Sequence, residues 1–280
     1  MTRRTLFLSQ LTCILFINQS LPAQTLNQTR LNETAQIADG DYRTAASGYW
    51  NKDSTWARFA GGAWITPATP PDSGAGVITI RSGHVVTIIS SIVYDQVILE
   101  SGAQVIVAPG ISHTLADGPG NDLTINGSWV NQGGTWSFAG GAKWVVNDGG
   151  TFVHNTSSAI STALSKAALS RSSNFIYRGS SSLVPASTFS GRTYGNLSLE
   201  SSVGQWSCTA SGGSPLIING NLKIDPAVKW STGAFSGGMT IQGTILVHGE
   251  WMGRGSGNLG THTFVGSFAI GPGGKYQLAT

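Results

Sequence analysis

Short alternating apolar segments separated by glycine-containing turns run along most of this chain. The pattern is clearest in residues 123–153, LTINGSWVNQGGTWSFAGGAKWVVNDGGTFV, where the triplets LTI and WVV each lead into an Asn-rich turn. Those turns contain Gly127 and Gly149, and each is followed by a second apolar segment. Alternation predicts strands with one buried face, because successive side chains point to opposite sides. Glycine in the turns supplies the positive φ that a Cβ disfavours.

The turn glycines recur with a long period. Residues 78–88 and 97–107 align without a gap, and the Ser-Gly pair of their turns coincides. The series of marker glycines is Gly83, Gly102, Gly127, Gly149, Gly220, Gly243 and Gly273. Apart from one long gap, these are spaced by roughly 20–30 residues with no intervening helix, which predicts a β-solenoid. A sandwich of antiparallel strands would place turns every 8–12 residues or so, and is less consistent with this spacing. We therefore predict an all-β fold, a single right-handed parallel β-helix.

The N-terminus has the pattern of a secretory signal peptide. Arg3 and Arg4 precede an apolar run at 6–17 that is too short to span a bilayer, and small residues end at Ala23. We predict cleavage after Ala23, so that residues 1–23 are the signal peptide and the product is secreted or on the cell surface. A retained anchor helix is the alternative. Residues 24–40 are polar and without periodicity, which indicates a flexible leader.

Residues 41–76 are predicted to form an N-terminal cap. They contain Trp50, Trp56 and Trp64 followed by a proline-rich stretch. The first coil of a solenoid has an open end, and bulky aromatic side chains can cover it. An aromatic platform for a ligand is the alternative function of these tryptophans.

The remaining residues, 77–280, are predicted to form the β-helix coils with a helix and loop inserted at about 155–190. Ile160, Leu164 and Ala167 recur at helical spacing, and Ser157 or Ser158 could cap the helix. The Ser-rich stretch that follows is expected to protrude as a loop.

Composition narrows the possible partners. Only 10% of residues are charged and 38 of 280 are glycine, which suits a β-rich extracellular protein. Removing the signal peptide takes away two of the 16 basic residues and none of the 13 acidic ones, so the net charge falls from +3 to +1. This charge gives no reason to expect nucleic acid or an anionic membrane as a partner. Cys208 would then be the one remaining cysteine, expected as a buried apolar residue.

Two stretches carry a family resemblance. The run from Trp50 and Trp56 through the prolines to GVITIRSGHVVTI resembles the start of the eight-glycine domain family. The later FIYRGSSSLVPASTFSGRTYGNLSLESS and LIINGNLKI resemble exported β-helix proteins of Bacteroidota, which often carry a C-terminal type IX sorting domain. The resemblance covers about residues 41–280 and implies a right-handed parallel β-helix outside the cell. No sorting domain is visible before Thr280, so we expect either a fragment or a solenoid that ends differently.

No catalytic residue, metal site or cofactor is predicted. The paired aspartates, Gly-His-Gly and Arg-x-Lys motifs of pectin-hydrolysing β-helices are absent from the sequence. Two groups of polar residues are candidate sites, one acidic (Asp117, Asp122 and Asp148) and one mixed (His248, Glu250, Arg254 and His262). Calcium binding and acid–base chemistry are the functional interpretations. Solvated turn residues are the preferred interpretation of both, since aspartate and other polar side chains commonly stabilise turns.

The strongest candidate site is a column of tryptophans. Trp136, Trp230 and Trp251 follow their marker glycines by similar intervals, which would place them on one side of the coil. A solvent-exposed column would bind polysaccharide by stacking on sugar rings, whereas a buried one would fill the core. We expect a structural or adhesin-like surface module whose partner is extracellular polysaccharide, with no membrane span after signal cleavage. A carbohydrate-active enzyme, a polysaccharide lyase or glycoside hydrolase with an unrecognised site, is the alternative.

Overall fold

The computed structural model describes residues 37–156, 158–179, 189–202, 204–254 and 260–279. Its N-terminal elements are β1 (Tyr42–Thr44), β2 (Gly48–Tyr49), a 3-10 helix (Asp53–Thr55), β3 (Trp56–Ala60) and β4 (Ala63–Ile65). The next strands are β5 (Ile78–Ile80), β6 (Val85–Ile88), β7 (Ile92–Tyr94), β8 (Val97–Leu99), β9 (Gln104–Val107), β10 (His113–Leu115), β11 (Leu123–Ile125), β12 (Ser128–Asn131), β13 (Trp136–Phe138), β14 (Trp144–Val146) and β15 (Thr151–His154).

A short helix interrupts the strands in the middle of the chain. It is α1 (Ser161–Ser165), followed by β16 (Ala167–Leu169) and β17 (Asn174–Gly179). The last part contains β18 (Thr193–Tyr194), β19 (Asn196–Ser201), β20 (Trp206–Gly212), β21 (Leu216–Ile218), β22 (Leu222–Ile224), β23 (Val228–Phe235), β24 (Met239–Ile241), β25 (Ile245–Val247), β26 (Glu250–Arg254), β27 (His262–Phe264), β28 (Phe268–Ile270) and β29 (Lys275–Ala279).

The strands stack as coils of a parallel β-solenoid with about eight turns. One sheet of ten strands, β2-β6-β9-β12-β15-β17-β19-β22-β25-β28, runs through every coil. The other strands form an eight-stranded sheet that includes β1, β3 and β4, a three-stranded sheet (β13-β10-β7) and two four-stranded sheets (β18-β21-β24-β27 and β20-β23-β26-β29). Among the described strands, only β1–β3 and β3–β4 pair antiparallel. The predicted parallel β-helix is therefore confirmed.

The core is filled by the inward positions of each strand. In the ten-stranded sheet, Trp129, Phe152, Phe175 and Leu197 are direct partners in successive coils, and all four are buried. Burying a side chain of this size contributes roughly 1.5–3 kcal/mol. Since every coil repeats such positions, the interior is a continuous apolar column. At the last coil the equivalent side chains, including Phe268 and Ile270, are exposed.

Two tryptophans of the predicted cap pack onto the first coils. Trp50 and Trp56 are buried, with ring centroids 4.9 Å apart, and Trp50 also contacts Tyr94 of β7. The Trp50 indole donates to the carbonyl oxygen of Pro71 at 2.8 Å, and the Trp56 indole donates to the carbonyl oxygen of Trp50. Trp64 lies outside this core, and the Arg43 guanidinium sits 4.1 Å from its ring centroid.

The predicted helix exists but is shorter than expected. Its five residues end at Ser165, and Ile160 stands at the N-cap without a side-chain hydrogen bond. Ala167 belongs to β16, which pairs with Trp144 of β14, so strand pairing overrides the helical spacing there. Ser157 and most of the Ser-rich loop lie outside the described residues, as do the signal peptide and most of the leader. No helix in the described part of the chain is long and apolar enough to cross a bilayer.

The marker glycines occupy more than one structural position. Gly102 and Gly149 have φ of +81° and +79°, as the turn interpretation predicts. Gly127 does not have positive φ, which corrects that expectation; instead, a Cβ there would collide with the backbone oxygens of Ala103 and Glu100. The reason is turn length, because two residues connect β11 to β12 where four connect β8 to β9. Glycine is therefore required at Gly102 and Gly149 because of the positive φ, and at Gly127 because of the close backbone contact.

Candidate functional site

The tryptophan column predicted to bind a ligand is packed in the core. Trp136, Trp230 and Trp251 are 8%, 0% and 2% exposed. Trp230 and Trp251 are direct partners on β23 and β26, with centroids 5.0 Å apart, whereas Trp136 pairs with His113 in another sheet. None of the three offers a ring face to solvent, so the core alternative is the arrangement found. Alternation alone could not distinguish the two, because it does not say which face is inward.

Neither of the two polar groups proposed from the sequence comes together as a site. Glu250 forms an ion pair with Lys229, its direct partner on the neighbouring strand, at 3.3 Å. His248 follows β25 and His262 is exposed on β27, so they belong to different sheets. The Arg254 side chain lies outside the described part of the structure.

In the acidic group, two aspartates stabilise turns, which agrees with the interpretation preferred from the sequence. An Asp148 carboxylate oxygen accepts the Ser172 backbone N–H at 2.8 Å, joining two coils. The Asp122 carboxylate accepts the backbone N–H groups of Gly118 and Lys143 at 2.8 and 2.7 Å.

Asp122 has a second carboxylate beside it that sequence reasoning missed. Asp95 follows β7 and is 9% exposed, while Asp122 is fully buried. Gln96 lies beside both, with φ of +50°, and its amide donates to an Asp122 oxygen at 3.3 Å. Burial, and then the neighbouring Asp122 carboxyl group, raise the pKa of Asp95. The separation of 27 positions between the two aspartates matches no fixed repeat, so spacing gave no signal.

The Asp95–Asp122 carboxylate pair can hold a proton, but its oxygen atoms already accept hydrogen bonds from the protein. Both Asp122 oxygens accept backbone N–H groups, and one Asp95 oxygen accepts the Gln96 N–H at 2.7 Å. Glycoside hydrolysis needs two carboxyl groups about 5–10 Å apart that both reach the substrate. Here the two groups brace a corner of the coil around Gln96. Raised pKa and positive φ can mark active sites, but they also occur at structural corners.

The one cysteine among the described residues is buried and unreactive. Burial raises the pKa of the Cys208 thiol, which disfavours the reactive thiolate. Cys208 lies on β20 beside Trp230, so it acts as the small apolar residue expected from sequence. Within the described ranges, no group of three or more His, Cys, Asp or Glu side chains is arranged to hold a metal ion.

A row of hydrogen-bonded polar side chains lies at or just before the start of the last six strands of the ten-stranded sheet. We call it the polar ladder, and its members in successive coils are Thr151, Asn174, Asn196, Asn221, Thr244 and Ser267. The Asn196 amide donates to Asn174 at 3.2 Å and accepts the Asn221 backbone N–H at 2.8 Å. Similar bonds join the other neighbours. Each ladder residue is therefore joined to the next coil, either by a bond between side chains or by a side-chain oxygen that accepts a backbone N–H.

A concave surface lies at the N-terminal end of the described chain. It is a groove of about 500 Å³ between the β1–β3–β4 strands and the irregular segment 66–75. Tyr42, Arg58 and Ile65 are direct partners across the three strands and line one wall. Asp72 and the proline-rich segment line the other wall. We call this the cap groove.

The fold and these surfaces define the class of protein: a parallel β-solenoid with a hydrogen-bonded row of polar side chains along its later coils and a groove beside its first strands. Comparison with known proteins adds no closer identification, because no family model, curated protein or solved structure matches the chain.

Proposed function

We propose that the protein is a non-enzymatic β-solenoid module of the cell exterior, with a structural or adhesin-like role and extracellular polysaccharide as its partner. The observation that carries the proposal is the polar ladder. A catalytic face leaves polar side chains free to meet a substrate, whereas the ladder directs them to the next coil. Uninterrupted coil-to-coil pairing is the arrangement expected of a rigid spacer.

The exterior charges support the same interpretation. Arg178 and Glu200 are direct partners on β17 and β19 and form an ion pair at 2.7 Å. Lys229 and Glu250 form a second pair between coils. These half-exposed pairs contribute only about 0–1 kcal/mol each. With only 10% of its residues charged, the chain is less suited to nucleic acid than a strongly basic protein would be.

The location outside the cell rests on the sequence. Arg3 and Arg4, the short apolar run and the small residues before Ala23 match a secretory signal. The low fraction of charged residues and the single buried cysteine of the remaining chain are compatible with export.

Retention and turnover assays test the proposal together. We expect the exported chain to be retarded by at least one polysaccharide in affinity gels, with no new reducing ends and no ultraviolet-absorbing unsaturated uronates released. Retention without product supports the module. Release of oligosaccharides at a rate proportional to protein concentration would contradict it, and absence of retention on neutral and acidic polymers would remove the adhesin-like role.

A carbohydrate-active enzyme is the second candidate, and the Asp95–Asp122 pair is the observation that favours it. The variant Asp95→Asn separates the candidates, because asparagine retains an oxygen for the Gln96 N–H while removing the charge beside Asp122. The structural interpretation predicts a gain in stability at pH 7, since the raised pKa means that the ionised form of Asp95 is disfavoured in the folded chain. That gain should shrink as the pH falls and wild-type Asp95 becomes protonated. The enzyme candidate predicts that wild-type protein cleaves a polysaccharide and that this variant does not.

A further inference from the structure

We propose that the cap groove is a binding site for an acidic saccharide, a sugar unit that carries one carboxylate and several hydroxyl groups. This inference rests on the proposed function and deepens it, because it names the site and the ligand class. It concerns the strands β1, β3 and β4 and the segment 66–75, and it requires nothing from the buried tryptophans.

An unpaired arginine supplies the first element of the site. Arg58 is half-buried on β3 and lines the groove, yet its guanidinium group forms no hydrogen bond or ion pair with any residue that the structure describes. The other charged side chain of the groove, Asp72, does not pair with it. A guanidinium group presents several N–H donors in a planar fork that matches a carboxylate. Partial burial strengthens such a pair relative to one in open water.

Acceptors for sugar hydroxyls supply the second element. One Asp72 oxygen accepts the Gly74 N–H at 2.8 Å, which fixes the carboxylate and leaves its second oxygen for a hydroxyl donor. The Tyr42 hydroxyl donates to the Thr69 carbonyl oxygen at a long 3.4 Å, so a ligand oxygen could take its place at small cost. The Thr66 and Thr69 side chains also line the groove. Polar groups that surround a single cation fit a ligand with one charge and many hydroxyls.

Apolar surface supplies the third element. Ile65 is 48% exposed beside Arg58, and Pro67 and Pro70 line the groove with it. Sugar rings have apolar C–H faces that gain from contact with such side chains. The volume of about 500 Å³ falls within the range of roughly 300–1,000 Å³ typical of small-ligand sites.

An acidic peptide is the competing ligand class, and the geometry favours it less. Extended peptides commonly bind by adding a strand to a free sheet edge. The free edge here is β4, which has only three residues, and the groove is closed by turn residues of segment 66–75 instead of running along that edge.

Calorimetric titration with three probes of similar size tests the proposal. The probes are tri-galacturonate, the neutral galactose trimer and a tri-glutamate peptide, in a buffer containing a calcium chelator. We expect tri-galacturonate to bind about tenfold or more tightly than the other two, and to weaken as NaCl rises from about 0.05 to 0.5 M. Arg58→Gln should weaken tri-galacturonate binding by about tenfold or more, the range expected for loss of a charge-assisted hydrogen bond.

Matched variants keep the result interpretable. Arg81→Gln removes an exposed arginine outside the groove and should bind like the wild type. Ile65→Trp adds bulk at an exposed position and should block the groove while leaving the melting temperature unchanged, so it serves if Arg58→Gln folds poorly. Unaltered binding by Arg58→Gln and Ile65→Trp would overturn the site, and equal binding of tri-glutamate would overturn the ligand class. If polysaccharide retention in gels persists in both variants, the proposed function stands while the groove is excluded.

Discussion

Acid is expected to destabilise the solenoid by charging two histidines in its core. His113 and His154 are each 2% exposed. His113 stacks on Trp136 at 5.3 Å between centroids, and its Nδ1 is hydrogen-bonded to the Tyr94 hydroxyl at 2.9 Å. His154 Nε2 donates to the Ser158 carbonyl oxygen at 3.0 Å. Burial lowers the pKa of both rings from 6.5 to about 4.

The size of the effect follows from proton linkage. Both folded-state pKa values lie below the unfolded value, so the stabilisation is complete above pH 6.5 and is lost as the pH falls towards 4. Within that window the unfolded chain binds about one more proton per histidine, which costs about 1.4 kcal/mol per pH unit for each ring. The two histidines together should therefore remove about 6 kcal/mol between neutral pH and pH 4, comparable with the total stability of many domains.

Urea unfolding monitored by tryptophan fluorescence across about pH 4–8 measures this loss. His113→Phe should flatten the dependence by about 3 kcal/mol, at the expense of about 1–3 kcal/mol at neutral pH because the Tyr94 hydroxyl loses its partner. His154→Phe should flatten it by a similar amount. His262→Gln, a change at an exposed ring, serves as the control and should retain most of the loss. A wild-type free energy that changes by less than about 1 kcal/mol across the window would refute the reasoning.

Three further predictions concern stability and use thermal or urea unfolding. Trp230→Ala should cost about 3–5 kcal/mol, as for other large-to-small core truncations, and polysaccharide retention by the folded fraction should be unchanged. Gly149→Ala should destabilise through its φ of +79° by about 1–2 kcal/mol, whereas Gly127→Ala should cost more because its Cβ would strike backbone; the reverse order would contradict the register. Asn196→Ala should cost about 1–3 kcal/mol by leaving the Asn221 N–H without its acceptor, while Ser198→Ala on the same outer face should change stability by no more than about 0.5 kcal/mol.

The fold could be predicted from the sequence because each coil repeats the same local pattern of strands and turns. Period-two alternation in segments such as 123–125 and 144–146 specifies strands, and the long spacing between turns specifies stacking instead of hairpins. The positions of residues within a coil were less predictable, because the connections between strands differ in length: one residue joins β18 to β19, two join β11 to β12, and seven join β10 to β11. This variation moved Gly127 out of register with Gly149 and placed Trp136 in a different sheet from Trp230.

The sites were harder to predict because their residues come from unrelated points of the repeat. Asp95 and Asp122 meet across a corner whose length differs from coil to coil. The cap groove combines Arg58 of an antiparallel strand with an irregular segment that has no periodicity at all. A periodic pattern reports which side chains are inside, but it contains no information about contacts made by such interruptions.

In the N-terminal region, the antiparallel strands and the irregular segment contribute both to stability and to the proposed binding site. Trp50 covers the first coils through its contact with Tyr94, and its indole N–H holds the Pro71 carbonyl at 2.8 Å. Pro71 lies between Pro70 and Asp72, which line the cap groove, so the residue that closes the core also fixes one wall of the groove. Asp41 fastens the same segment at its end by accepting the Val77 N–H. The cap region therefore combines a fixed scaffold with the unpaired polar groups of the groove.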